Sequence, residues 1–144
     1  MSKAFFSKSQ QEEIVSAIKE AERNTSGEIR VHLEKKCSRS ALDRASEVFS
    51  VLKMHKTALR NGVLFYLAWE SHKFAILGDA GINEKVADDF WDSIKDHMAE
   101  KFIEGKFTEG LSEGILKAGT ALKQHFPYQS DDVNELSDEI SFGE

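Results

Sequence analysis

One cysteine, Cys37, is all that the 144 residues contain. No internal disulfide can form, and neither a zinc finger nor a dithiol redox motif can be assembled from a lone thiol. Proline is equally scarce, with Pro127 as its one occurrence. No apolar run reaches the length of about 18 residues that a bilayer span needs. Met1 to Gln10 carries no apolar stretch of the kind that leads a secreted chain to export, so the expected compartment is the cytoplasm. Lys and Arg are absent from Gln124 onward, where six acids (Asp131, Asp132, Glu135, Asp138, Glu139 and Glu144) carry the whole formal charge of −6. An acidic balance of this kind argues against a broad nucleic-acid footprint and against a polybasic membrane anchor. GxSxG, P-loop and dinucleotide fingerprints are missing as well.

What remains suits one folded domain. The composition is 40% apolar and 31% charged, enough to bury a core at a length typical of single domains. The domain is expected to span residues 1–128, with 129–144 as an acidic, mobile tail too poor in periodic apolar residues to repay ordering.

Ser9-Gln10-Gln11-Glu12 reads as a capping box opening a first helix, whose stripe is Ile14, Ile18 and Ala21 and which stops near Asn24. Glu28 to Glu34 alternates, with Ile29, Val31 and Leu33 on one face and Glu28, Arg30, His32 and Glu34 on the other, as in a strand with one polar face. Ser40 and Asp43 open a second helix with Leu42, Ala45, Val48, Phe49 and Leu52 inward. Val63 to Trp69 is almost continuously apolar, the pattern of a central strand buried on both faces, and Phe74 to Leu77 returns as its hairpin partner. A long helix is expected from Asn83 or Glu84, with Val86, Phe90, Ile94, Met98 and Phe102 every four residues, up to Gly105. Thr108 then opens a last helix through Leu111, Ile115, Ala118 and Leu122, which Pro127 closes. The order α-β-α-β-β-α-α implies a three-layer α/β/α sandwich around a small mixed sheet of three to four strands. The first two strands are parallel across their helical crossover and the third is antiparallel.

That topology brings three polar, Gly-containing segments to one sheet edge: Thr25–Glu28, Arg60–Gly62 and Gly78–Gly81, with the start of the long helix beside them. Glu28, Asn61, Asp79, Glu84, Asp88 and Asp89 are therefore the candidate ligands for calcium or magnesium, hard cations that take carboxylate, amide and carbonyl oxygens. Taken singly, each also has a plain structural explanation as a strand end, a turn or a favourable acid at a helix N-terminus. Glu84, Asp88, Asp92 and Asp96 would share one face of the long helix. The five histidines show no ligand pairing and read as surface residues, and Cys37 reads as a passive thiol.

Thr25-Ser26-Gly27-Glu28-Ile29-Arg30-Val31, Asn61-Gly62-Val63-Leu64 and Ile76-Leu77-Gly78-Asp79-Ala80-Gly81-Ile82, followed by Phe102, Gly105, Phe107, Gly110, Leu111 and Gly114, resemble the TPM domain over about residues 9–125. The resemblance implies an α/β/α sandwich and calcium binding, with Glu28, Asn61, Asp79 and the acids of the long helix at the motif-bearing positions. Plant relatives are tied to photosystem II repair and acid phosphatase activity, and an animal relative to acetylcholine-receptor modulation. Unlike many relatives, this chain carries no Gly-rich tail. The resulting expectation is a cation-binding interaction module with an unidentified protein partner. The alternative is a metal-dependent acid phosphatase acting on phosphomonoesters, in which a cation clamps the phosphoryl oxygens.

Overall fold

The alternation in Glu28–Glu34 becomes strand β1, with Ile29, Val31 and Leu33 completely buried. In the computed structural model, which describes residues 5–87, 89–128 and 136–143, β1 pairs in parallel with β2 (Gly62–Ala68), from Glu28 opposite Gly62 to Glu34 opposite Ala68. Strand β3 (Lys73–Gly78) is antiparallel to β2. A two-residue strand β4 (Ser141–Phe142) runs parallel along the other side of β1, giving the order β3-β2-β1-β4. All seven residues of β2 are buried, as its unbroken apolar run requires.

Helices cover both faces. Helices α1 (Lys8–Glu22), α4 (Phe90–Ile103) and α5 (Phe107–His125) supply Ile14, Ile18, Ile94, Met98, Leu111, Ile115 and Leu122 to a core shared with Ile29, Val31, Leu33, Val63, Phe65 and Leu67. Helix α2 (Ala41–Val51) packs Ala45, Val48 and Phe49 on the opposite face against Leu64, Tyr66 and Ala68, with Met54 of a short 3-10 turn beside them. The three-layer α/β/α arrangement and the mixed sheet match the sequence reading. No helix of the described residues is long and apolar enough to cross a membrane.

Several boundaries differ from expectation. Ser7, not Ser9, caps α1: its hydroxyl accepts from the Gln10 amide at 3.1 Å, while the Gln10 side chain accepts from the Ser7 amide at 2.8 Å. Phe6, buried in the core, precedes this cap, and the helix is entered two residues earlier than the apolar stripe alone suggests. The long helix expected from Asn83 or Glu84 starts only at Phe90, as α4, and a short first piece, α3 (Ala80–Asn83), precedes it. Asn83 closes the first piece. Its side chain donates to the Gly78 carbonyl at 2.8 Å and accepts from the Trp91 indole at 3.0 Å, ties that an uninterrupted helix would break. Glu84, Asp92 and Asp96 therefore do not form one column, and Asp88 lies outside the described residues.

The segment 136–143 is a further correction. The mobile tail expected from 129 onward falls partly on 129–135 and 144, which are outside the described residues. Leu136 to Gly143, however, lie along β1, with Ile140 and Phe142 packed against the core. Two alternating apolar residues suffice here because β1 would otherwise present an unpaired edge.

Candidate functional site

Opposite strand directions bring the starts of β1 and β2 and the end of β3 to one edge. The Glu28 amide donates to the Asn61 carbonyl at 3.4 Å, the Asp79 amide to the Gly62 carbonyl at 2.9 Å, and the Gly81 amide to the Arg60 carbonyl at 2.7 Å. A Cβ on Gly81 would collide with the Leu59 and Arg60 carbonyls, so only glycine lets the two loops close to this distance. Arg60 itself holds a left-handed φ of 53°, a conformation costing about 1 kcal/mol in a side-chain-bearing residue and kept where its surroundings over-determine it. Here those surroundings are the Gly81 bond on one side and a bidentate ion pair on the other. Arg60 Nε and Nη2 reach the two Asp79 carboxylate oxygens at 2.7 and 2.8 Å.

Glu28 stands opposite Gly62 in the β1–β2 register, and Asp79 continues β3 opposite Gly62 on the other side. Glu28, Gly62 and Asp79 thus form one rung across the sheet, on the α2 face, with a residue lacking a side chain between two acids. Both acids are buried, Glu28 to 2% exposure and Asp79 to 6%. Carboxylates are seldom held so deep without a charge partner or a task. One Glu28 oxygen accepts from the Leu136 amide, and Asp79 also caps α3 through the Ala80 amide at 2.8 Å. Asn61, buried at the same edge, directs its amide nitrogen to the Ser26 hydroxyl at 3.4 Å. Glu84 and Asp89 lie apart from this rung at exposed positions, ending α3 and opening α4. Among the described residues, no three His, Cys, Asp or Glu side chains are grouped so as to hold a metal ion.

Two polar clusters, one half-buried and one buried, escape the sequence reading. Glu22, at the end of α1, accepts from the Ile29 amide at 2.8 Å. Burial and then the neighbouring Asp138 carboxyl push its pKa up to about 9, against the pull of the Ile29 amide. The signal was present in the sequence, since Glu22 continues the stripe Ile14, Ile18 at four-residue spacing. On the polar face of β1, His32 is not a surface residue. It is buried, shares a hydrogen bond of 2.8 Å between Nδ1 and the Ser141 hydroxyl, and has Nε2 3.2 Å from Glu34. Burial lowers the His32 pKa. Glu34 also receives the Arg44 guanidinium and the Tyr66 hydroxyl. Burial alone would raise its pKa, but the bonds from Arg44, Tyr66 and His32 prevail and hold it at about 2. Cys37 is buried nearby and donates to the Arg39 carbonyl at 3.2 Å, in keeping with a passive thiol.

The sequence pattern of the TPM domain matches residues 2–121, covering the rung, its loops, helices α1 and α4 and most of α5. The chain belongs to the TPM domain family. Among solved structures, the BA42 protein of the psychrophilic bacterium Bizionia argentinensis is 50% identical, with 96% of each chain covered and a TM-score of 0.89. The N-terminal domain of a P. gingivalis protein, 21% identical, covers 86% of this chain and 82% of its own at a TM-score of 0.70. The N-terminal domain of cg2496 from Corynebacterium glutamicum, 13% identical, covers 90% and 81% at 0.66. Those last two share the fold. No curated protein matches the sequence. Within the matched range, the segments Thr25–Val31, Asn61–Leu64 and Ile76–Ile82 build the edge with the Glu28–Gly62–Asp79 rung.

Proposed function

We propose that this TPM domain is a binding module that takes up a calcium or magnesium ion at the Glu28–Asp79 edge and presents the loaded edge to a protein partner. The observation that carries this reading is the pair of buried carboxylates flanking Gly62 on one rung. Hard cations prefer such oxygen donors, and neighbouring turn carbonyls and water would complete the shell of six to eight oxygens that calcium takes. Asp79 already receives a cationic group, the Arg60 guanidinium, whose side chain is 51% exposed and can turn out to solvent. Cation uptake therefore exchanges an ion pair for a metal contact, and two carboxylates in place of a full acidic cage imply a modest affinity, on the order of 10⁻⁵ to 10⁻³ M. Asn61, buried at the same edge, is the secondary donor in this reading, and Glu84 and Asp89 take no part in it. Phosphomonoester hydrolysis, the alternative implied by the family resemblance, would use the same carboxylates as metal ligands and Arg60 as its anion binder. Binding is preferred because the sequence offers no recognisable nucleophile motif for that chemistry.

Calorimetric titration of calcium into the wild type and into a Glu28→Gln, Asp79→Asn double variant tests the reading. Saturable binding lost in the double variant supports it. Equal binding by both would move the cation elsewhere. Arg60→Gln, which removes the competing charge, is expected to tighten binding.

A further inference from the structure

At the other end of β2 from the rung, Trp69 follows the strand and stacks on Phe5 with ring centroids 4.7 Å apart. Phe107 meets the same Phe5 ring edge-on at 5.8 Å. Phe5 and Phe107 line a cavity of about 540 Å³ between the entry to α1 and the entry to α5, with Glu13 on the α1 side and Lys106, Thr108 and Glu109 on the other. The first backbone bond of α5 runs from the Gly110 amide to the Lys106 carbonyl at 2.9 Å, and no side chain caps the amides before it. Thr108 sits in that uncapped turn. It is only 9% exposed, and its hydroxyl has no hydrogen-bond partner among the described residues. Glu13 is exposed and in no ion pair among the described residues. The other two charges at the cavity are already matched, Glu109 by Lys101 at 3.2 Å and Lys106 by Glu104 at 3.5 Å.

A buried hydroxyl without a partner is costly to a fold, and each such group calls for an explanation. An acceptor bound in the cavity supplies one. The same turn suits an anion, because free N-terminal amides and the helix dipole both attract negative charge. Glu13 would repel a simple anion but would pair with a cationic group carried on the same molecule. Phe5, 46% exposed, adds an aromatic surface that gains by covering an apolar group. We propose that this cavity binds a free α-amino acid with an apolar side chain. Its carboxylate accepts from the Thr108 hydroxyl and the first amides of α5, its ammonium pairs with Glu13, and its side chain lies against Phe5 and Phe107.

The test titrates L-phenylalanine into the full chain, followed by nitrogen–proton spectra, beside two fragments. Hydrocinnamate lacks the ammonium and phenethylamine lacks the carboxylate. L-Phenylalanine is expected to give saturable shifts in residues 5–13 and 105–112, with a Kd lower than that of either fragment by about tenfold, the effect of one bond between charged groups. Thr108→Val keeps the shape and removes the hydroxyl; it is expected to raise the L-phenylalanine Kd by about tenfold. In urea unfolding the same variant should be at least as stable as the wild type, because the fold loses no bond. Ser112, one turn along α5, is equally buried and without a partner but does not line the cavity, so Ser112→Ala should leave the Kd unchanged. An unchanged Kd in Thr108→Val, equal binding of the fragments, or no saturable shifts in those residues overturns the proposal. A clear loss of stability in Thr108→Val also overturns it, since the hydroxyl would then serve the fold.

Discussion

Arg44 of α2 and Glu34 at the end of β1 form a two-bond ion pair, with Nε and Nη2 at 3.0 and 2.9 Å from the two carboxylate oxygens. Tyr66 donates to the same carboxylate from β2, so three elements meet at one acid whose side chain is 4% exposed.

Removing that acid should be costly. Glu34→Gln is expected to destabilise the fold by about 3 kcal/mol, the lower end for breaking a buried pair because Arg44 keeps some access to water. Tyr66→Phe should cost about 1 kcal/mol, since only one hydrogen bond is lost and the ring still fills its place. Urea unfolding of the three proteins at neutral pH measures both. The pH dependence has a definite sign. Glu34 has its folded pKa depressed to about 2 from 4.5, so its contribution is complete above about pH 4.5 and is lost as pH falls towards 2. The stability gap between wild type and Glu34→Gln should close over that window.

Glu22 acts in the opposite sense. Its folded pKa is raised to about 9 from 4.5, so the proton it holds favours the fold below about pH 4.5, and that advantage drains away as pH rises towards 9. Glu22→Gln, which keeps a donor for Asp138 at every pH, should therefore be more stable than the wild type at pH 8 and nearly equal to it at pH 4.5. Thermal unfolding across that range checks the slope; a gap independent of pH would mean that Glu22 ionises normally in the fold.

Val63 to Trp69 should exchange its amide hydrogens more slowly than any other segment. The strand is buried on both faces between β1 and β3, so its amides should open only with global unfolding. Leu67→Asp should abolish folding, because the core around Leu67 offers no partner for a charge.

The parts legible in the sequence were those with local periodicity. Alternation set β1 at Glu28–Glu34 to the residue, and the continuous apolar run identified β2. The three-segment edge followed from topology, because a helical crossover and a hairpin leave few ways to orient three strands. Two features were hidden for different reasons. The break after Asn83 lies within an apolar four-residue period that runs on from Val86 to Phe102, so only the tertiary bonds of Asn83 reveal it. Strand β4 has two residues, and its place beside β1 depends on pairings of more than 100 residues in sequence separation, such as His32 with Ser141. The reading of His32 as a surface residue and the inclusion of 136–143 in a free tail failed together, since Ser141 is the partner of His32.

Amide-shift mapping during a calcium titration of the full chain tests the central claim most directly. Binding at the Glu28–Gly62–Asp79 rung predicts saturable shifts concentrated in residues 25–28, 60–62 and 78–81. Shifts scattered over the acids of 131–144, with the three loop segments unmoved, would be diffuse charge screening and would contradict it.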